Sequence, residues 1–364
     1  MKIVVYAIAK NESSFVDRWM DSMSEADQVV VLDTGSDDGT AERLQARGAQ
    51  VTVERIVPWR FDQARNRSLE LVPEDADVCV CTDLDEVFQP GWRSALEGAW
   101  GAETRQASYR YTWSFQPDGS EGVVFWQEKI HARRGFRWAH PVHEVLEWVG
   151  EGERGSLALA QGVQLDHHPD PKKSRGQYLP LLELSVAEDP EDDRNLHYLG
   201  REYLYYGRWD DCIHTLTRHL ALPSAVWRDE RAASMRYIAR AHARKGERDE
   251  ARDWYLRAAA EAPHLREPWT DLAMLLYEDQ EWDGVLYATA CALKIRERPR
   301  TYICEAEAWG SLPHDLRCQA YYHTGRLPQA LEEARLALAA APSDPRLAGN
   351  AALLEKMAGT AGEL

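Results

Sequence analysis

The sequence predicts an α/β domain built on a mixed, mostly parallel sheet, followed by an all-α domain of helical repeats. Three observations carry that prediction. Strand-like and helix-like segments alternate through the first ~90 residues, as in a doubly wound sheet. From about residue 174 onward the pattern is helical almost without break. That helical half is also self-similar along its length. The expected division is residues 1–170 for the sheet domain, 171–190 for a helical connection and 191–364 for the repeats.

Residues 3–9 are uniformly apolar and read as a buried strand, since Lys10-Asn11-Glu12 interrupts them before they could form a signal-peptide core. A helix is expected near residues 13–23, a strand at 28–32, a helix at 39–47, a strand at 51–56, a helix at 61–71 and a strand at 78–82. Sheets of this kind bind ligands at the carboxyl ends of their strands, where the strand order switches. The polar clusters of this sequence fall at those ends. Residues 105–165 change character, and aromatic, alternating pieces at 107–113 and 122–126 read as antiparallel or mixed strands completing the sheet.

In the helical half, aligning Gly207, Gly246, Gln280 and Gly325 superposes four helix-turn-helix units. Gly200, Ala239, Ala273 and Cys318 precede each marker by the same step, and Tyr203, Leu276 and Tyr321 share a large position. Downstream, Ala251 and Ala330, then Ala258, Ala292 and Ala337, occupy small positions on the second helix, and Pro263 and Pro342 end two units. Close helix crossing needs such small side chains. Two neighbouring markers lie at the ~34-residue spacing of tetratricopeptide (TPR) repeats, and the others at that spacing plus insertions. The half resembles that family, which implies a concave surface for partners and says nothing about chemistry.

Length and composition set limits. At 364 residues, with 44% hydrophobic and 28% charged residues, the chain has the composition of two or three globular domains. The net charge of −17, from 43 basic and 60 acidic side chains, argues against a nucleic-acid partner, whose binding rests largely on basic surface. Lys172-Lys173-Ser174-Arg175 and the group Arg133, Arg134 and Arg137 are the local basic patches. No apolar run approaches the roughly 20 residues of a membrane helix, so the chain is expected to be soluble with no membrane span. The six cysteines show no C-x-x-C pair, and read as buried reduced thiols suited to a cytoplasmic location.

The chemistry sits at the strand ends. Asp83-Leu84-Asp85-Glu86 follows the strand at 78–82, and a divalent cation on a diphosphate needs one or two protein oxygens of this kind. Asp33 closes the strand before Thr34-Gly35-Ser36-Asp37-Asp38-Gly39-Thr40, where a carboxylate can accept the imide proton of a uracil or thymine ring; a turn with a helix cap is the plainer use of the same residues. With Ala7-Ile8-Ala9-Lys10-Asn11-Glu12 at the end of the first strand, these motifs resemble the inverting family-two glycosyltransferases of GT-A fold, of the bacterial type fused to TPR repeats.

The resemblance implies a transferase, hexosyl or related, that uses a nucleotide diphosphate sugar, UDP-linked by first expectation, with Mn²⁺ or Mg²⁺. It places Ala7, Lys10, Asn11, Glu12, Asp33, Arg65, Asp83 and Leu84 at the nucleotide, Arg65 through the segment Trp59-Arg60-Phe61-Asp62-Gln63-Ala64-Arg65-Asn66. Asp83 and Asp85 are the carboxylate candidates for the metal, and His143, His167 and His168 the candidate histidine ligands, the latter two in Leu165-Asp166-His167-His168-Pro169. Sugar transfer needs a base that deprotonates the acceptor hydroxyl, and a carboxylate occupied by metal is a poor one. Glu144, in the stretch ending Val142-His143-Glu144, is the first choice, with Glu128 and Glu86 as rivals.

His143-Glu144-Val145-Leu146-Glu147 starts like a zincin helix but lacks the second histidine. Trp113, Trp126 and Trp138 fall in the expected acceptor region, although core is the commoner role for a tryptophan. Two rivals remain. One is an inactive sheet domain carried by a protein-binding repeat scaffold; the other, a nucleotidyltransferase, lacks a Gly-rich, Lys-bearing loop after the first strand. Expected partners are the donor and a protein, peptide or glycan acceptor engaged by the repeats, with a homo-oligomer left open.

Overall fold

In the computed structural model the described residues are 1–116, 118–170 and 176–361, the side chains of 359–361 excepted. Lys172, Lys173, Ser174, Arg175 and the start of the expected connection lie outside them. The chain divides into two compact units, Met1–Ser185 and Val186–Leu364.

The first unit opens with β1 (Ile3–Ala9), α1 (Val16–Ser22), β2 (Gln28–Asp33), α2 (Thr40–Ala46), β3 (Gln50–Val53), α3 (Phe61–Glu70), β4 (Val78–Cys81), β5 (Glu86–Phe88) and α4 (Trp92–Ala99). It continues with β6 (Thr104–Thr112), β7 (Val124–Ala132), β8 (Phe136–Ala139), β9 (Val145–Trp148) and β10 (Ser156–His167). The eight-stranded sheet runs β3-β2-β1-β4-β7-β6-β10-β5, while β8 and β9 form a separate hairpin. The first four sheet strands in that order are parallel, and β7 runs antiparallel to both β4 and β6. The unbroken apolar runs of β1 and β4 are buried along their whole length, as strands covered on both faces must be. One face packs Ile3, Val5, Trp19, Val31, Val80, Leu84, Trp92 and Ile130, and the other Val4, Tyr6, Val30, Cys79, Cys81 and Trp138. All six cysteines are free.

The helix α5 (Tyr178–Glu188) precedes four antiparallel helix pairs: α6 (Asp193–Tyr205) with α7 (Trp209–Ala221), α8 (Arg228–Lys245) with α9 (Arg248–Glu261), α10 (Glu267–Glu278) with α11 (Trp282–Lys294), and α12 (Leu312–His323) with α13 (Leu327–Ala340). A last helix, α14 (Pro345–Ala361), follows. The second unit is therefore a TPR-like array of helical hairpins. The aligned small residues are its seams: Ala239, Ala258, Ala273, Ala292 and Ala337 are all fully buried.

The four markers share one backbone turn. Gly207, Gly246, Gln280 and Gly325 all have positive φ, at 71°, 82°, 60° and 73°. In each unit the next residue's amide donates to a carbonyl five residues back: Arg208 to Tyr203, Glu247 to His242, Glu281 to Leu276 and Arg326 to Tyr321. This is the Schellman closure of a helix, whose left-handed residue is usually glycine. Gln280 holds that conformation with a side chain attached, at about 1–2 kcal/mol of steric strain. Gln280→Gly is therefore expected to raise stability by roughly 0.5–1 kcal/mol, the relief being partly offset by a more flexible unfolded chain. A denaturant midpoint that fell instead would show that the glutamine side chain contributes more than the strain removes.

No helix among the described residues is long and apolar enough to cross a membrane.

Candidate functional site

The parallel strands end at one edge, and the turns there are built locally. After β1, Asn11 adopts positive φ, donates its amide to Ser36 and accepts from the amide of Asp37, while the Glu12 amide donates to Thr40. Asp33 at the tip of β2 is fully buried and accepts from the amides of Gly35 and Ser36 and from the Ser36 hydroxyl. Its carboxylate is thus engaged by its own turn. Ala7 is buried within β1, Lys10 is exposed, and Leu84 is a fully buried core side chain that can offer a ligand only its backbone.

Arg65, in the first turns of α3, ties the edge together. Its guanidinium donates to Asp83 at 2.8 and 3.2 Å through one nitrogen, to Glu144 through Nε, and to the Cys81 sulfur at 3.3 Å. The side chain is almost fully buried. Burial alone would lower its pKa, but Asp83 and then Glu144 hold it well above the usual arginine value. Lys129 on β7 reaches the same loop, 3.4 Å from Asp83 and 3.7 Å from Glu86. Burial works against its charge too, and Glu86 and then Asp83 hold its pKa up. Glu86 accepts from the amide of Asp83 and the hydroxyl of Tyr111, both at 2.8 Å. Burial pushes its carboxyl up from the ordinary range, with Lys129 opposing. As a base, Glu86 is sealed from solvent.

Asp85 faces the imidazole of His167 at the end of β10, with Nε2 3.5 Å from its carboxylate. Nδ1 of His167 is held 2.9 Å from the carbonyl of Trp113, which fixes the tautomer so that a neutral ring presents Nε2 as an acceptor. The other candidates lie apart. The His168 ring stacks on Phe115, and only its backbone amide reaches the Asp85 carbonyl. His143 stacks on Tyr178, with centroids 5.7 Å apart. Glu128 is half-buried where the β6–β7 register shifts, and its carbonyl accepts from Gln106. His143 and Glu144 lie in the turn before β9 rather than on a helix, which removes the zincin geometry. The arginines near 135 are engaged locally: Arg133 and Arg134 with Glu74, and Arg137 with Glu147.

Sequence reasoning missed Lys129 and the scaffold beneath Arg65. Trp138 lies under the guanidinium, 5.3 Å from its ring centroid, and is buried core rather than acceptor surface, whereas Trp113 is exposed. The Trp138 indole donates to the Tyr6 hydroxyl, which donates to Nε2 of His131, whose Nδ1 donates to the carbonyl of Ala132. No local signal marks this chain of contacts, because it depends on β7 pairing beside β4.

Burial holds His131 neutral, with its pKa pushed down to about 4. The unfolded chain binds this proton more readily than the folded one, so the contribution to stability is complete above pH ~6.5 and is lost as pH falls toward 4. That loss is expected to reach roughly 3 kcal/mol. His131→Gln, which can still accept from Tyr6, should flatten the pH dependence of the denaturant midpoint over this window; an unchanged slope would place the acid sensitivity elsewhere.

No family model matches the chain. Among solved structures it is similar to helical-repeat proteins. MamA is 19% identical over 44% of this chain and 84% of its own, with TM-score 0.36. A thermophilic TPR protein of Thermus thermophilus is 20% identical over 48% and 88%, with TM-score 0.36. Yeast Tom70 is 12% identical over 53% and 38%, with TM-score 0.40. At these values the likeness is one of fold, and no functional reading rests on it.

Proposed function

We propose that the chain transfers a sugar from a nucleotide diphosphate donor, UDP-linked by first expectation, to an acceptor nucleophile with inversion and with a divalent cation. The observation that carries this reading is the grouping of Arg65, Asp83, Glu144, Asp85 and His167 at the carboxyl edge of the parallel strands. That is where open α/β sheets bind ligands. Four carboxylates, Asp83, Asp85, Glu86 and Glu144, meet only two permanent cations there, Arg65 and Lys129, among the described residues.

The donor set suits Mn²⁺ or Mg²⁺. One carboxylate and one imidazole nitrogen standing 3.5 Å apart would have to close to about 3.0 Å to sit side by side on an octahedral ion about 2.1 Å from each, with phosphate oxygens and water completing the shell. Asp85 and His167 would hold the ion, whereas Asp83 is already engaged by Arg65 and Lys129. A bound cation would act as a Lewis acid on the leaving diphosphate. Arg65, almost buried and with each guanidinium nitrogen already engaged, would serve the site by fixing Asp83 and Glu144 and by placing positive charge beside the diphosphate. Glu144 remains the candidate base, and because one of its oxygens accepts from Arg65 Nε, the acceptor hydroxyl has to meet the other oxygen or displace that contact.

A second reading is a protein-binding repeat scaffold. It is supported by Tyr205, Tyr206, Trp227 and Tyr287, large aromatics left exposed on the repeat unit. A hydrolysis and binding screen of the full chain against a panel of nucleotide sugars, with and without Mn²⁺, separates the two. Cation-dependent binding of one donor class supports transfer, and no binding of any donor leaves the scaffold.

A further inference from the structure

The second unit holds a buried ionisable cluster that the proposed sugar chemistry does not use. At the helical seam position filled by Ala258, Ala292 and Ala337 in three repeats, the first repeat places His219, and all four side chains are fully buried. Replacing a methyl by an imidazole puts two ring nitrogens where the other repeats have none, and each needs a partner.

One is provided for. Nδ1 of His219 lies 3.0 Å from the Ser234 hydroxyl, which is also 2.8 Å from Nδ1 of a second buried imidazole, His197. A single hydroxyl can donate to only one of these two nitrogens, so the other must carry its own proton. Nε2 of His219 is buried and has no hydrogen-bond partner among the described residues. The Glu230 carboxylate approaches it at 3.5 Å, well beyond the 2.7–2.9 Å of a charge-assisted hydrogen bond. Asp193, half-buried at the first turn of α6, completes a trio with ligand atoms all within 4.8 Å of one another.

We propose that Asp193, His219 and Glu230 form a divalent-cation site, suited first to Zn²⁺, that pins α6, α7 and α8 together. Tetrahedral ligands about 2.1 Å from a common ion stand roughly 3.4 Å apart, which is the spacing of the His219 and Glu230 atoms and too long for a direct bond between them. One imidazole and two carboxylates form a mixed N/O set for which zinc outcompetes manganese. The outer contacts are in place: Ser234 orients the imidazole, and the Tyr302 hydroxyl donates to the second oxygen of Glu230. The neighbouring Arg194 guanidinium stacks on Tyr198, 4.9 Å from the ring centroid. Asp193 is the most exposed of the three, so the ion enters from its side and water fills the fourth position.

The test is titration of the full chain with Zn²⁺ by calorimetry and with Co²⁺ by visible absorption, where tetrahedral coordination gives intense bands. We expect one equivalent that Asp193→Asn weakens by at least about tenfold and that His219→Ala removes. His219→Ala restores the small residue of the other repeats and should fold, and half-exposed Asp193→Asn gives a second reading if it does not. Asp85→Asn should leave this equivalent in place, since it alters only the sheet-edge site. The proposal is overturned if no such equivalent binds, if both repeat variants bind as tightly as the original chain, or if Asp85→Asn is what removes it.

Discussion

Replacing Arg65 by alanine is expected to cost about 3–5 kcal/mol of stability, because it strips the guanidinium from Asp83 and Glu144 and leaves two carboxylates facing each other at a partly buried edge. On the proposed transferase reading the same change should also reduce donor affinity by about tenfold or more, since it removes a permanent positive charge from beside the diphosphate, worth at least ~1.5 kcal/mol. Arg65→Lys separates the two effects. A single ammonium cannot donate to Asp83, Glu144 and the Cys81 sulfur in one plane, so stability should recover only in part, whereas the retained positive charge should restore most of the donor affinity. Denaturant midpoints and nucleotide titrations on both variants make the check. An alanine variant within about 1 kcal/mol of the original would mean that the two carboxylates relax apart and that Arg65 is no keystone.

Asp85→Ala carries the largest expected functional effect. Asp85 faces His167 with the one carboxylate of the edge that no arginine or lysine holds among the described residues, so it is the group free to share a cation. Turnover and cation-dependent donor binding should fall by about 10²-fold or more, the loss of several kcal/mol of charge stabilisation. Stability should change little or rise, because removing one acid from a group of four eases their mutual repulsion. Retained turnover with an unchanged cation requirement would remove Asp85 from the proposed mechanism. Glu144→Gln, by contrast, should keep the side chain's shape beside Arg65 and depress turnover by ~10²-fold if that carboxylate takes the proton.

The local grammar of the chain was legible. The apolar run at 3–9 became β1, and the alternation through residue 82 gave four parallel strands and three helices close to their expected bounds. The repeat markers, including Gln280, were found by aligning the small and large positions around them, and they share one conformation because the helix-closing turn requires positive φ wherever the repeat places it. Candidates at strand ends were also findable, since Asp33 and Asp83 each close a hydrophobic strand. Less legible was what those candidates do. Asp33 is engaged by its own turn, and His168 points its ring at Phe115 although it is adjacent to His167 in sequence.

By itself the sequence determined the order of strands and helices, the repeat register and the residue types offered at the sheet edge. Each of these depends on periodicity or spacing within a few tens of residues. Only the tertiary structure decided which of those residues meet. Glu144 reaches Arg65 across 79 residues and Lys129 reaches Asp83 across 46, through contacts set by the placement of the β8–β9 hairpin and by the pairing of β7 beside β4. Buried charges must find partners whatever their distance along the chain, since an unpaired ion in the interior costs several kcal/mol. That requirement is met in space, by the packing of elements that local pattern does not specify, and it is why the partners of Arg65 could not be read from the residues around it.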